Sequence, residues 1–220
     1  MALALPFGVR GVPMAAKATA TRQAVGMEPG RLVVLNGTSS SGKSTLATAF
    51  RDEQARRGEF WLLIGIDDAL SKLPYQWVDM GLPTGVGERA HDGLWFEDTP
   101  DGRRLRVGAL ARQLIDAYHR WVAEAVRAGM NVIVDDVVID RETYAGWLRA
   151  LDGLPAVWVA VRCPLDVVEA REAARGDRAM GLARAQHDVV HQGIPYALEI
   201  DTGRRTPDEA HDALRRFLGV

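Results

Sequence analysis

Cysteine is nearly absent from this 220-residue chain. Cys163 stands alone, so no internal disulfide can form and no thiolate cluster is available for a metal. It follows the apolar run Val157–Arg162 and precedes Pro164, which reads as strand-end packing rather than a reactive thiol. So thiol-poor a composition suits a reducing cytoplasm. No apolar run approaches the roughly 20 residues needed to span a bilayer. An excess of charge of either sign is missing as well. Lys and Arg number 27 against 29 Asp and Glu, a formal net charge of −2, which gives no footprint for nucleic acid or an anionic membrane. Neither an HExxH pair nor the Asn-Lys-x-Asp segment of guanine-specific switches occurs. The length suits one domain with a sizeable core.

Met1–Gly30 is rich in Ala, Gly and Thr and holds no sustained period. Arg10 comes after the apolar stretch Leu3–Val9, the reverse of a secretory signal. Residues 1–30 read as a disordered extension, with Met14 and Met27 as alternative starts, and residues 31–220 as the folded domain.

What is present begins at Leu32–Asn36, an apolar run leading into Gly37-Thr38-Ser39-Ser40-Ser41-Gly42-Lys43-Ser44 and then a helix-like stretch from Thr45. Strand, GxxxxGK[ST], helix is the phosphate-binding P-loop arrangement. The glycines allow backbone conformations and approaches that a Cβ would block. Successive N–H groups can then curl round a phosphate at a helix start whose dipole favours anions. Lys43 would reach the β- and γ-phosphates and Ser44 would ligate Mg²⁺. The pattern alone recurs by chance in about one chain of this length per hundred. Its position between a strand and a helix makes nucleotide phosphate the reading.

Five runs, Leu32–Asn36, Phe60–Ile66, Asn131–Asp136, Ala156–Arg162 and Ala197–Asp201, alternate with helix-like stretches. This predicts an α/β fold with a parallel sheet covered on both faces. Ligands on such sheets sit beyond the carboxyl ends of the strands. Asp67 and Asp68 fall there after the second run. Asp68 reads as the cap of a short helix Ala69–Leu73, and Asp67 as the group that accepts a proton from an attacking hydroxyl. Asn131–Asp136 is an apolar strand ending in two carboxylates. Asp135 or Asp136 would support Mg²⁺, in the manner of a Walker B segment.

Tyr75–Arg106 reads as a long irregular loop, and residues 74–106 as a substrate region. Its aromatics Tyr75, Trp77, Trp95 and Phe96 are either satellite core or an apolar wall for an acceptor. Val107–Gly129 predicts the longest helix, with Leu110, Leu114, Ala117, Trp121 and Ala125 on its buried face and His119 solvated. After the fourth strand, Arg171, Arg175 and Arg178 cluster around Gly176. This suits an arginine lid over residues 171–178 that neutralises charge as a phosphoryl group leaves. His187 and His191 lie four apart on a candidate helix, yet without HExxH or cysteines they read as exposed or substrate-adjacent. Thr206-Pro207-Asp208-Glu209 predicts a capping box for a last helix that buries Ala210, Leu214, Phe217 and Leu218.

Together these stretches resemble the chloramphenicol phosphotransferase family of P-loop kinases, from about Arg31 to Asp201. The matching parts are Leu35 to Ser44, Gly65-Ile66-Asp67, Val132–Val137, Val159–Cys163, Arg171–Arg178, Val190–Gly193 and Glu199–Thr202. The resemblance implies a three-layer nucleotide-kinase fold with five parallel strands. It implies transfer of the γ-phosphoryl of ATP to a hydroxyl of a small molecule, an antibiotic such as chloramphenicol included. Carried over by position, Asp67 is the general base, Lys43 and Ser44 hold phosphate and Mg²⁺, and the lid arginines cover the phosphates. Tyr75–Arg106 departs from that family, so the acceptor is not inherited with the reaction. The alternatives are a kinase of a metabolite or nucleotide sugar and a non-catalytic ATP sensor. No nucleic-acid or membrane partner is expected, and homo-oligomerisation is left open.

Overall fold

The computed structural model describes residues 28–80, 87–100, 102–175 and 180–220. In chain order these form β1 (Leu32–Asn36), α1 (Lys43–Arg56), β2 (Trp61–Gly65), α2 (Ile66–Leu70), β3 (Val78–Asp79), β4 (Leu94–Thr99), β5 (Gly102–Val107) and α3 (Ala109–Arg127). There follow β6 (Asn131–Asp136), α4 (Arg141–Ala150), β7 (Val157–Arg162), α5 (Leu165–Arg175), α6 (Leu182–His187), β8 (Leu198–Asp201) and α7 (Pro207–Leu218). Of the extension, residues 1–27 lie outside the described residues, as do Gly176 and Arg178 of the lid.

The five runs read as strands form one parallel sheet in the order β2-β6-β1-β7-β8. β1 is central, and all five of its residues are buried. That is why it reads as an unbroken apolar run: parallel strands covered on both sides have no solvent face. Alternate residues feed two cores. Val33 and Leu35 pack with Phe50 of α1 and Leu214 of α7, while Leu32 and Val34 pack with Ile115 and Val122 of α3 and Trp147 of α4. The crossover connections bring the ends of β1, β2 and β6 to one edge, where the chain turns into α1, α2 and the segment before α4.

Residues 75–107 depart from expectation. The described part is no irregular loop but a second, three-stranded sheet, β3-β4-β5, whose core is the antiparallel β4–β5 hairpin. Charged cross-strand neighbours hide its alternation: Arg106 Nε donates to Glu97 at 2.7 Å and Arg103 Nε to Asp98 at 2.9 Å. Such pairs hold a hairpin that has little apolar surface of its own to bury.

The face of α3 was misassigned. Trp121 is 54% exposed, and Leu110 is exposed as well, whereas His119 is fully buried. The buried stripe runs through Ala111, Ile115, Tyr118, His119, Val122, Ala123, Ala125 and Val126; of the five expected residues Ala125 is buried, and the stripe otherwise runs one position on. His119 is apolar in effect. Its ring lies 4.1 Å from that of Trp147, neither nitrogen has a hydrogen-bond partner among the described residues, and burial pushes its pKa down to about 3, which keeps it neutral. In α7 the capping box forms between Thr206 and Glu209 and Ala210 and Leu214 are buried, but Phe217 is exposed.

Candidate active site

The loop after β1 has the backbone its sequence requires. A Cβ on Gly37 would lie 2.3 Å from the carbonyl oxygen of Val161, so only glycine fits beside β7. Gly42 at φ 93° and Ser40 at φ 62° take left-handed conformations, and Gly42 opens α1. Asn36 anchors the loop from behind. Its Nδ2 donates to the Val190 carbonyl at 2.7 Å and to Tyr196 Oη at 2.6 Å, and its Oδ1 accepts from Val138 N at 2.9 Å.

At the start of α1, Lys43 is buried. Its Nζ donates to the Thr38 carbonyl at 2.8 Å and stands 3.7 Å from Asp135 Oδ1. Ser44 Oγ donates to Asp135 Oδ2 at 2.5 Å. A lysine, a hydroxyl and a carboxylate thus meet at the loop, the donor set that a phosphate and a hard divalent cation share. The hydroxyls of Ser39, Ser40 and Ser41 are buried with no partner among the described residues. Orphaned donors around a curled backbone are what an anion with several acceptor oxygens would satisfy.

The two carboxylates ending β6 separate, because neighbouring strand residues point to opposite faces. Asp135 turns to the loop. Asp136 turns into the core, where it accepts from Trp147 Nε1 at 2.5 Å and Val137 N at 2.7 Å, and burial pushes its pKa up to about 6. Asp136 therefore leaves the set of metal-facing candidates.

A cleft of about 550 Å³ opens over the loop, lined among others by Lys43, Ser44, Asp67, Asp135, Arg171 and Arg175. Asp67 lies exposed in the first turn of α2, which begins at Ile66 rather than at Ala69. Asp68 Oδ2 accepts the Gly65 N–H at 2.9 Å and closes that helix start. The two acids thus divide as expected, one to the cap and one to the cleft. Arg171 and Arg175, four apart on α5, share a face. Arg171 Nη2 donates to the Thr202 carbonyl at 2.9 Å.

Three cleft residues escaped the sequence reading. Gln186 of α6 accepts the Ser39 N–H through Oε1 at 2.7 Å. Thr202 Oγ1 donates to the Ser41 carbonyl at 2.5 Å, a link to which the Asp201-Thr202 strand end was a clue. Arg205, just before the first turn of α7, also lines the cleft, and no sequence signal pointed to it. His191 belongs to the support behind the loop: its Nδ1 lies 2.9 Å from Tyr196 Oη, and burial lowers its pKa to about 4. His187 pairs with Asp188. Among the described residues no group of three or more His, Cys, Asp or Glu could hold a metal.

The family model described as chloramphenicol phosphotransferase-like protein matches residues 30–219. The chain belongs to this family. Two Mycobacterium tuberculosis proteins, from strains CDC 1551 and H37Rv and each named "Putative O-phosphotransferase", are 34% identical over 198 residues. The match covers 87% of this chain and 82% of each of them. Solved structures of the same fold include a sugar kinase from Janibacter sp. HTCC2649, with TM-score 0.59, 18% identity and coverage of 87% of this chain and 96% of that one. The Mycobacterium tuberculosis APS kinase CysC, in complex with AMPPNP and APS, matches with TM-score 0.58 and 16% identity over 87% and 99% of the two chains. The fold is that of P-loop kinases, and the family is one of kinase-like O-phosphotransferases. No helix among the described residues is long and apolar enough to cross a membrane.

Proposed function

We propose that the protein is an ATP- and Mg²⁺-dependent kinase of the cytoplasm that transfers the γ-phosphoryl group to a hydroxyl of a small molecule. The observation that carries this reading is the interlocked set Lys43, Ser44 and Asp135 lining one cleft with Asp67. Lys43 and the N–H groups of residues 38–44 hold the phosphates, and Ser44 and Asp135 hold the cation. Bound Mg²⁺ supplies charge neutralisation at the phosphoryl oxygens. Asp67 orients the acceptor hydroxyl and takes its proton as that oxygen bonds the γ-phosphorus and the bond to the ADP oxygen breaks. Arg171 and Arg175, with Arg178 beyond the described residues, act as a lid that offsets the charge on the leaving phosphate.

The acceptor is sought among hydroxylated antibiotics, chloramphenicol included, and among metabolites and sugar nucleotides. A γ-³²P-ATP transfer assay with Mg²⁺ and such a panel tests the reading, and label on one class of alcohol is the expected result. Asp67→Ala keeps nucleotide binding while transfer falls roughly 10²- to 10⁴-fold. Near-normal turnover by that variant would remove Asp67 from the base role. Tight ATP binding with no label on any acceptor would turn the reading towards a nucleotide sensor.

A further inference from the structure

Gln186 lines both the nucleotide cleft and a second cavity, of about 290 Å³, walled by the β4–β5 hairpin. It is 4% exposed, and its Oε1 accepts the Ser39 N–H at 2.7 Å. That contact forces the orientation of the amide, since only its oxygen can accept. What Gln186 holds is one peptide plane. The Thr38–Ser39 unit is trans, so its N–H and its C=O point in opposite directions. On the carbonyl side, Thr38 O accepts from Lys43 Nζ at 2.8 Å and from Ser41 N at 3.3 Å. Gln186 and Lys43 thus grip opposite ends of the same peptide.

The helix that brings Gln186 there is itself held. α6 has six residues, too few to be stable alone, so its neighbours set its place. Glu172 of α5 is 1% exposed and accepts the Gly181 N–H at 2.8 Å and the Ala183 N–H at 2.9 Å. A carboxylate over that helix start also suits its dipole. Arg184 pairs through two nitrogens with Glu169 of α5, at 2.6 and 2.9 Å, and Ala183 packs with Val168 and Cys163. The helix that presents Arg171 and Arg175 to the cleft therefore holds α6, and α6 holds the loop.

We propose that Gln186 is a positioning residue for Lys43: by fixing the Ser39 N–H it aims the Thr38 carbonyl at the ammonium and keeps that ammonium where the β- and γ-phosphates arrive. Without an acceptor at position 186 the buried N–H goes unpaired. The peptide then rotates towards another partner and takes its carbonyl away from Lys43. The inference rests on the reading of this loop as a phosphate site.

Two variants test it. Gln186→Met keeps the length of the side chain and drops the oxygen, while Gln186→Glu keeps an oxygen in place. NMR of the full nucleotide-free chain reads both links directly. In the wild type the Ser39 amide proton and the Lys43 ζ-ammonium protons are expected to exchange slowly with water. In Gln186→Met both should exchange roughly tenfold faster or more, and AMPPNP with Mg²⁺ should bind roughly tenfold more weakly. Gln186→Glu should keep both sets of protons slow. A side chain that only filled space would be replaced as well by methionine. Fast Ser39 exchange in the wild type, Lys43 protons unaltered in Gln186→Met, or AMPPNP affinity unaltered in that variant would each overturn the positioning role. If Gln186→Met does not fold, the wild-type exchange and Gln186→Glu still decide, and loss of slow exchange in Gln186→Glu overturns it. Slow protons in a wild-type chain that binds no AMPPNP would instead sink the phosphate-site reading.

Discussion

The β1–β6 pairing inside the large sheet and the β4–β5 hairpin are both two-stranded pairings, yet they owe their form to different forces. β1 and β6 are parallel and largely buried, and their register from Leu32 opposite Val132 to Asn36 opposite Asp136 is set by apolar side chains on both faces. The hairpin is antiparallel, and much of its described surface is charged. It is held by cross-strand pairs such as Arg106 with Glu97 and by packing of Leu94 and its neighbours on one side. The buried pairing holds Asp135 beside Lys43 and Ser44 at the start of α1. The hairpin forms a wall whose composition can change at little cost to the fold, because exposed ion pairs contribute only about 0–1 kcal/mol each.

The largest expected break falls on the phosphate loop at the end of the buried pairing. Lys43→Ala should cut phosphoryl transfer by about 10³-fold or more, measured as the initial rate with saturating ATP and whichever acceptor the panel yields. Unchanged kinetics would dissolve the reading of this loop as a phosphate site. Next comes Trp147→Ala in the core behind β6. Trp147 is fully buried and donates to Asp136, so truncation should cost about 3–5 kcal/mol in urea unfolding. A cost below about 1 kcal/mol would mean the core there collapses freely.

Acid should act on the same core and spare the hairpin. The His119 imidazole titrates near 6.5 when unfolded and at about 3 when folded. Between those values the unfolded chain holds the extra proton, so this contribution is full above about pH 6.5 and is lost as pH falls towards 3. His191, lowered to about 4, acts in the same direction. Asp136, raised from 3.8 to about 6, opposes them over that interval because there the folded chain holds the extra proton. Two groups against one leave stability falling from pH 6.5 towards pH 4. His119→Leu should flatten that fall, read as the urea midpoint at each pH, and an unaltered slope would show that His119 takes no part. The smallest effect belongs to the hairpin. Glu97→Gln should change stability by less than about 1 kcal/mol in urea unfolding, and a loss of several kcal/mol would show the hairpin to be part of the core.

Residues whose role depends on position along the chain were legible. Gly37 to Ser44 declared the phosphate loop because its spacing is local. Asp67 and the pair Asp135-Asp136 could be placed at the carboxyl edge of the sheet because both follow apolar runs and parallel strands end together, with the choice within the pair left open. The α3 face was missed because apolar residues surround much of that helix, and sequence could not tell which neighbour would cover which side. His119 was read as solvated on its polarity, but stacking against Trp147 from α4 makes it core. The hairpin was missed because its strands are written in arginine and acid rather than in apolar alternation. Gln186 gave no signal at all, since its partner, Ser39, lies 147 residues away.

The chain by itself determined the parallel α/β layout, the phosphate loop and the division of Asp67 from Asp68, all consequences of local period, turn chemistry and capping. Tertiary structure alone decided that Asp135 and not Asp136 meets Ser44, that α6 touches the phosphate loop, and that a hairpin walls a second cavity. Those outcomes depend on which surfaces meet when helices close over a sheet, a matter of packing between distant segments that no local pattern encodes.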